Sequence, residues 1–314
     1  LAFVAACAAK PLDDALLRSL QLSPAQRASW CVNDPRPVDL DAKILLVDGS
    51  VRPSSGSHRF DIAELDLAAS AGAVAAEGER IRFTPPADPF ASINGNPVVT
   101  ARVRKRPEIL STLALTPAYD CLAAFDVRPA GGNAPDVDLS LGTIATPRGT
   151  LVIARARGGR GPEHVFLLAP NGPGIRVDAR GGDGENGADG ADGAAGADGG
   201  GGCPPQGGVN ADRGGDGQSG GDGGRGGHVT IEVDATHPEL ASLVRVLNAG
   251  GGGGDGGSGG RGGTGGNGGS GDGNCTGDTG ASGSNGAPGS PGQRGRDGPS
   301  GGPPTVRRVA LPPR

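Results

Sequence analysis

The sequence predicts an all-β N-terminal domain, a sandwich or barrel with a short N-terminal helix, followed by a polyglycine II helix bundle with an inserted β-hairpin. Two observations carry this expectation. Short stretches of alternating polarity separated by turn residues fill the first 180 positions, the pattern of half-buried strands. The composition then changes near Arg180: of 63 glycines in 314 residues, 14 lie in 1–180 and 49 in 181–314. The first part has enough apolar residues to bury a core. The second has long stretches without Leu, Ile, Val or Phe, so apolar burial, the usual driving force of folding, is not open to it.

In chain order, the opening apolar stretch ends in Val4-Ala5-Ala6-Cys7. This resembles a bacterial lipobox, and the resemblance implies export, lipidation of Cys7 and an outer-membrane lipid anchor over segment 1–7. Segment 8–42 reads as a helical tether. Within it 11–20 forms a short helix, with Asp13 and Asp14 near its positive end. The β-rich domain spans 43–180, with strands at 43–47, 60–65, 80–83, 98–103, 121–127, 137–141, 150–154, 165–168 and 175–179. The Ala-rich stretch 63–77 can instead be read as helix. Arg102, Arg104, Lys105 and Arg106 form the densest basic group, and their alternation places them on a solvated strand face.

Removing Cys7 from the five cysteines leaves Cys31, Cys121, Cys203 and Cys275. Four cysteines allow three connectivities. Locality favours Cys31–Cys121 and Cys203–Cys275, one disulfide in each half, which suits an oxidising compartment. Trp30 and Tyr119, beside the first pair, are expected to pack over it. With 20 Lys/Arg against 19 Asp/Glu in 1–180 and 9 against 15 in 181–314, neither half is basic enough to suggest nucleic acid.

Beyond Arg180 glycine keeps one three-residue frame over 121 residues. It runs unbroken from Gly181 to Gly202, returns in phase at Gly208, Gly214, Gly217, Gly220, Gly223 and Gly226, and resumes at Gly250. From Gly250 to Gly301 the only in-frame position that is not glycine is Asn274. A period of three is that of the polyproline II helix, which has no internal hydrogen bonds and must pair with neighbouring chains. Glycine along one face lets another backbone come close. A collagen triple helix and an antiparallel polyglycine II bundle both meet that need. Between Gly250 and Gly271 the second position is also glycine at 251, 254, 257, 260, 263, 266 and 269, and 181–202 and 250–273 lack proline. Two bare faces and no proline favour the bundle.

The packed runs are then 181–202, 214–227, 250–273 and 277–301, with Gly250, Gly253, Gly256, Gly259, Gly262, Gly265 and Gly268 as the bundle-packing face. Segment 228–249 reads as a hairpin that sends the flanking runs off antiparallel; 165–168 and 175–179 launch the first run in the same way. The last residues, 304–314, read as a tail. These Gly-X-Y and Gly-Gly-X repeats resemble collagen-like, glycine-rich bacterial surface proteins, and the polyglycine II bundles of snow-flea antifreeze protein and phage tail adhesins. The resemblance covers about 181–303 and implies backbone geometry more than function.

Other motifs carry little chemistry. Gly256-Gly-Ser258-Gly-Gly260 matches a hydrolase nucleophile pattern but lies inside the repeat, with no strand–turn–helix around it. Asp183, Asp189, Asp192, Asp198, Asp216 and Asp222 suggest calcium, yet the bulky apolar residue of a calcium-binding β-roll is missing; solvation is their expected role. His58, His164, His228 and His237 are scattered. No catalytic, cofactor or metal residues are assigned. The expected function is therefore a structural scaffold without catalysis, extracellular or on the outer-membrane surface of a bacterium. Its partners are further copies or other surface proteins. The alternative is an adhesin, or an ice-binding protein using Ser258, Thr264, Asn267, Ser270 and Thr276, a row that Asp255 and Arg261 interrupt.

Overall fold

The computed structural model describes residues 12–26, 29–34, 36–56, 58–275 and 277–310. Its strands are β1 (Leu17–Pro24), β2 (Ser29–Cys31), β3 (Val38–Leu46), β4 (Val51–Pro53), β5 (Leu65–Ala69), β6 (Ala73–Glu77), β7 (Arg80–Thr84), β8 (Val98–Val103) and β9 (Arg106–Ala114). They continue as β10 (Thr116–Ala118), β11 (Ala123–Asp126), β12 (Val137–Thr146), β13 (Gly149–Gly158), β14 (Glu163–Leu168), β15 (Ile175–Asp178), β16 (Val229–Asp234), β17 (Val244–Leu247) and β18 (Thr305–Val309).

Two cores organise them. In the first, the sheet β1-β3-β7-β6, with β4 on β3, and the sheet β5-β8-β9 enclose Leu40, Ile44, Phe60, Ile81, Phe83, Val99 and Leu115. Alternation along β3 explains its inner face: Leu40, Ala42, Ile44 and Leu46 are buried while Asp39, Asp41 and Lys43 point away. In the second, the sheet β14-β13-β12-β16-β18 and the sheet β11-β15-β17 enclose Phe125, Leu139, Leu141, Phe166, Ile175, Val177, Ile231 and Val233.

Several expectations for the N-terminal part change. The helix expected over 11–20 is not formed in its described part, 12–20: a short 3-10 turn at Asp14–Leu16, capped by Asp13 on the Ala15 N–H, runs straight into β1. Segment 8–42 is no tether, because β1 pairs antiparallel with β3 and buries Leu17, Leu20 and Leu22. The helical reading of 63–77 fails as well; β5 and β6 occupy it. Cross-strand burial outweighs the helix propensity of alanine, which is a weak prior. The strand expected at 60–65 is a 3-10 turn, Ile62–Glu64, followed by β5. Cys7 and the lipobox lie outside the described residues.

The glycine segment emerges from the second core as four runs: 181–202, 206–227, 248–271 and 280–301. β15 leads into the first and β17 into the third; the second returns into β16 and the fourth into β18. Segment 228–249 is not a hairpin. β16 pairs parallel with β12 and β18, and β17 pairs parallel with β15, so the two lie in opposite sheets. β14 and β15 are likewise in different sheets. The physical reason is continuity: strands in one sheet carry runs that go the same way. The tail expected at 304–314 contributes β18 to the sheet, and the second run begins before 214, at Gln206.

Candidate functional site

Within the glycine segment, backbone N–H groups bond between runs at every third residue. The first run donates to the third, from Gly181 to Ala249, Gly184 to Gly252, and onward to Gly202 and Ser270, at 2.7–3.2 Å. A constant spacing of 68 residues means that these two runs are parallel. The second run donates to the fourth in the same sense, from Gly208 to Ala281 through Gly226 to Pro299. Antiparallel bonds join the layers: Gln218 to Ala188, Gly257 to Gln218 and Gly292 to Gly257, each at 2.8 Å, typify the three sets. The first and fourth runs thus have two neighbours each, and the second and third have three.

This packing accounts for the Gly-Gly-X pattern of the third run. A Cβ at Gly250, Gly253, Gly256, Gly259, Gly262, Gly265 or Gly268 would overlap a backbone carbonyl oxygen of the fourth run. One at Gly251, Gly254, Gly257, Gly260, Gly263, Gly266 or Gly269 would overlap a carbonyl oxygen of the first. The third position faces outward, where there is room for a side chain. Ser258, Thr264, Asn267 and Ser270 lie there with Asp255 and Arg261; Thr276 lies outside the described residues.

The periodic aspartates have a structural use that the sequence reading missed. Asp183, Asn186, Asp189, Asp192 and Asp198 of the first run each accept, through Oδ1, the backbone N–H of the third-run residue 69 positions later, at 2.6–2.9 Å. Asn210, Asp216 and Asp222 of the second run do the same for Ser284, Ser290 and Arg296 of the fourth, 74 positions later. The Ser290 N–H holds the Asp216 carboxyl below the usual aspartate range. The signal was the recurrence of Asp and Asn at third positions. Solvation alone would not require that spacing.

A polar collar joins the runs to the sandwich. Buried Asp178 forms a two-point pair with Arg180, at 2.6 and 2.9 Å, where β15 becomes the first run. That pairing, more than any other influence, lowers the Asp178 pKa. Asp136 accepts the His228 N–H at 2.8 Å, which lowers its pKa, and also receives Arg225 at 3.1 Å. The His228 ring reaches the Gly301 carbonyl and the Thr305 hydroxyl, and Asn248 Nδ2 donates to Gly302 and Gly227. These contacts tie the second, third and fourth runs together at their base, and the Asp178–Arg180 pair fixes the start of the first.

Cys31 and Cys121 are disulfide-bonded. Trp30 packs edge-on against Phe83, ring centres 6.2 Å apart, and the Tyr119 hydroxyl bonds to Ser92. Cys203 is also in a disulfide; the side chain of its expected partner, Cys275, is outside the described residues. Arg104 pairs with Asp66 at 2.9 Å and Arg106 with Glu108, so much of the basic group is neutralised locally. A groove of about 500 Å³ beside the second core is lined by residues including Pro86, Pro89, Phe125, His164 and Phe166. No helix among the described residues is long and apolar enough to cross a membrane. No protein-family model, curated protein or solved structure matches the chain.

Proposed function

We propose that this chain is a secreted or cell-surface structural protein, without catalysis, in which a polyglycine II bundle forms a rigid spacer or assembly element on a β-sandwich base. One observation carries the reading: the three-residue ladder of hydrogen bonds closes within a single chain. Polyproline II geometry has that period and leaves its backbone groups for neighbours. A collagen helix would need two further chains to meet the same donors. The disulfide joining Cys31 and Cys121 supports an oxidising, extracytoplasmic setting.

Circular dichroism with analytical sedimentation tests the architecture. A monomer is expected, with a polyproline-II-type signal lost cooperatively at a midpoint independent of protein concentration. Loss of that signal coupled to dissociation of a trimer would overturn it. Mass spectrometry of the native protein tests the anchor: a diacylglyceryl adduct on Cys7 is expected, and an unmodified Cys7 would remove it.

A further inference from the structure

Where two charges meet across the ladders among the described residues, they are mostly opposite. Asp39 faces Arg82, Glu77 faces Arg80, Arg157 faces Glu163 and Glu232 faces Arg307. One like pair, Asp126 and Asp178, has Arg180 bound to its buried member. The other is Arg176 on β15 against Arg245 on β17, side by side on parallel strands. Both are exposed, and neither makes a hydrogen bond or ion pair among the described residues. The Asp178 carboxylate, which feels the charge of Arg176, is already committed to Arg180.

Strands in a sheet lie about 4.8 Å apart, and like charges directly abreast are destabilising. The neighbour of Arg176 on its other side is Ala124, which leaves room above the row. Two arginines anchored one strand spacing apart on the same face can both donate to a single oxyanion, and charge-assisted N–H bonds to phosphate or sulfate oxygens are among the strongest that arginine makes. The geometry points to an oxyanion site here: Arg176 and Arg245, on the outer face of β11-β15-β17, share one phosphate or sulfate group. The site does not depend on the spacer reading, since it rests on strand register alone.

The test uses the full chain with three probes: inorganic phosphate, inorganic sulfate and dextran sulfate. Calorimetric binding is measured for the wild type, R176A and R245A, with thermal midpoints recorded alongside. Each substitution is expected to weaken binding about tenfold or more, because charge-assisted hydrogen bonds are lost. Binding of the inorganic ions, lost in the variants, identifies a free anion. Binding of dextran sulfate alone, lost in the variants, identifies a polymer-borne group. R245E replaces repulsion by an opposite pair and is expected to raise the midpoint by about 1–3 °C while abolishing binding. Failure of every probe to bind, or binding unchanged in R176A and R245A, would overturn the assignment.

Discussion

A methyl group decides which positions of the glycine lattice admit a side chain. At Gly257 the Cβ would meet the Ala188 carbonyl oxygen, whereas Ser258, one residue on, points outward. Gly257→Ala should therefore cost about 1–3 kcal/mol, as overpacking of a close contact does. Ser258→Ala should stay within about 0.5 kcal/mol. Thermal melts of the two variants check this, and equal midpoints would contradict the lattice. Ala211 shows what the lattice absorbs: it occupies an in-frame position of the second run, yet its N–H still reaches the Ser284 carbonyl at 3.0 Å. The carboxylates that accept N–H groups from the next run act at the same scale. Replacing Asp189, Asp192 and Asp198 together by Ala is expected to lower the thermal midpoint by several degrees, at roughly 0.5–1 kcal/mol per net hydrogen bond.

Proline placement along the fourth run follows its hydrogen bonds. Pro288 and Pro291 occupy third positions, where no N–H bond is formed; Pro299 sits 74 residues beyond Arg225, where the second run offers no Asp or Asn acceptor. Proline lacks the donor and so fits only such sites. Strand elements show the converse dependence on distant partners. β15 and β17 are short, and their pairing extends without a break into the first and third runs: Ala179 donates to Leu247 at 2.7 Å and Gly181 to Ala249 at 2.9 Å. The Cys31–Cys121 bridge spans 90 residues and holds β2 near the end of β10. On the chain-entropy account a loop of that length contributes about 4–5 kcal/mol. Cys121→Ser should lower stability by an amount of that order in denaturant titrations, with the loss appearing in the first core.

Across the whole molecule, acid should loosen the joint between sandwich and glycine runs. At the joint, Asp136 and Asp178 are held below the ordinary aspartate value chiefly by the His228 N–H and the Arg180 guanidinium; between the second and fourth runs, Asp216 is held down by the Ser290 N–H. A carboxyl with a lower pKa when folded than when unfolded adds stability above its unfolded value of about 3.9 and loses it as pH falls through the folded value. The thermal midpoint should then be nearly flat from pH 7 to about 5 and fall below about pH 4. A midpoint unchanged between pH 5 and pH 2 would contradict this. Much of this architecture was legible along the chain: the strands at 80–83, 98–103 and 137–141, the Cys31–Cys121 pair and the frame of the glycine repeat. The collar was not, since His228 reaches Asp136 and Thr305, and Asn248 reaches Gly227 and Gly302, only when the runs converge.

The sequence by itself determined that the second half repeats every three residues, that the third run is bare on two faces, and that the glycine frame begins at Gly181. Each is a local property, set by how much room a backbone or a strand face leaves for a side chain. Only the tertiary structure decided that β16 and β17 go to opposite sheets, that 14–20 is turn and strand, and that the aspartates bond to backbone 69 and 74 residues away. Those outcomes depend on register between distant segments, and local periodicity carries no information about which of several compatible partners a strand or run will meet.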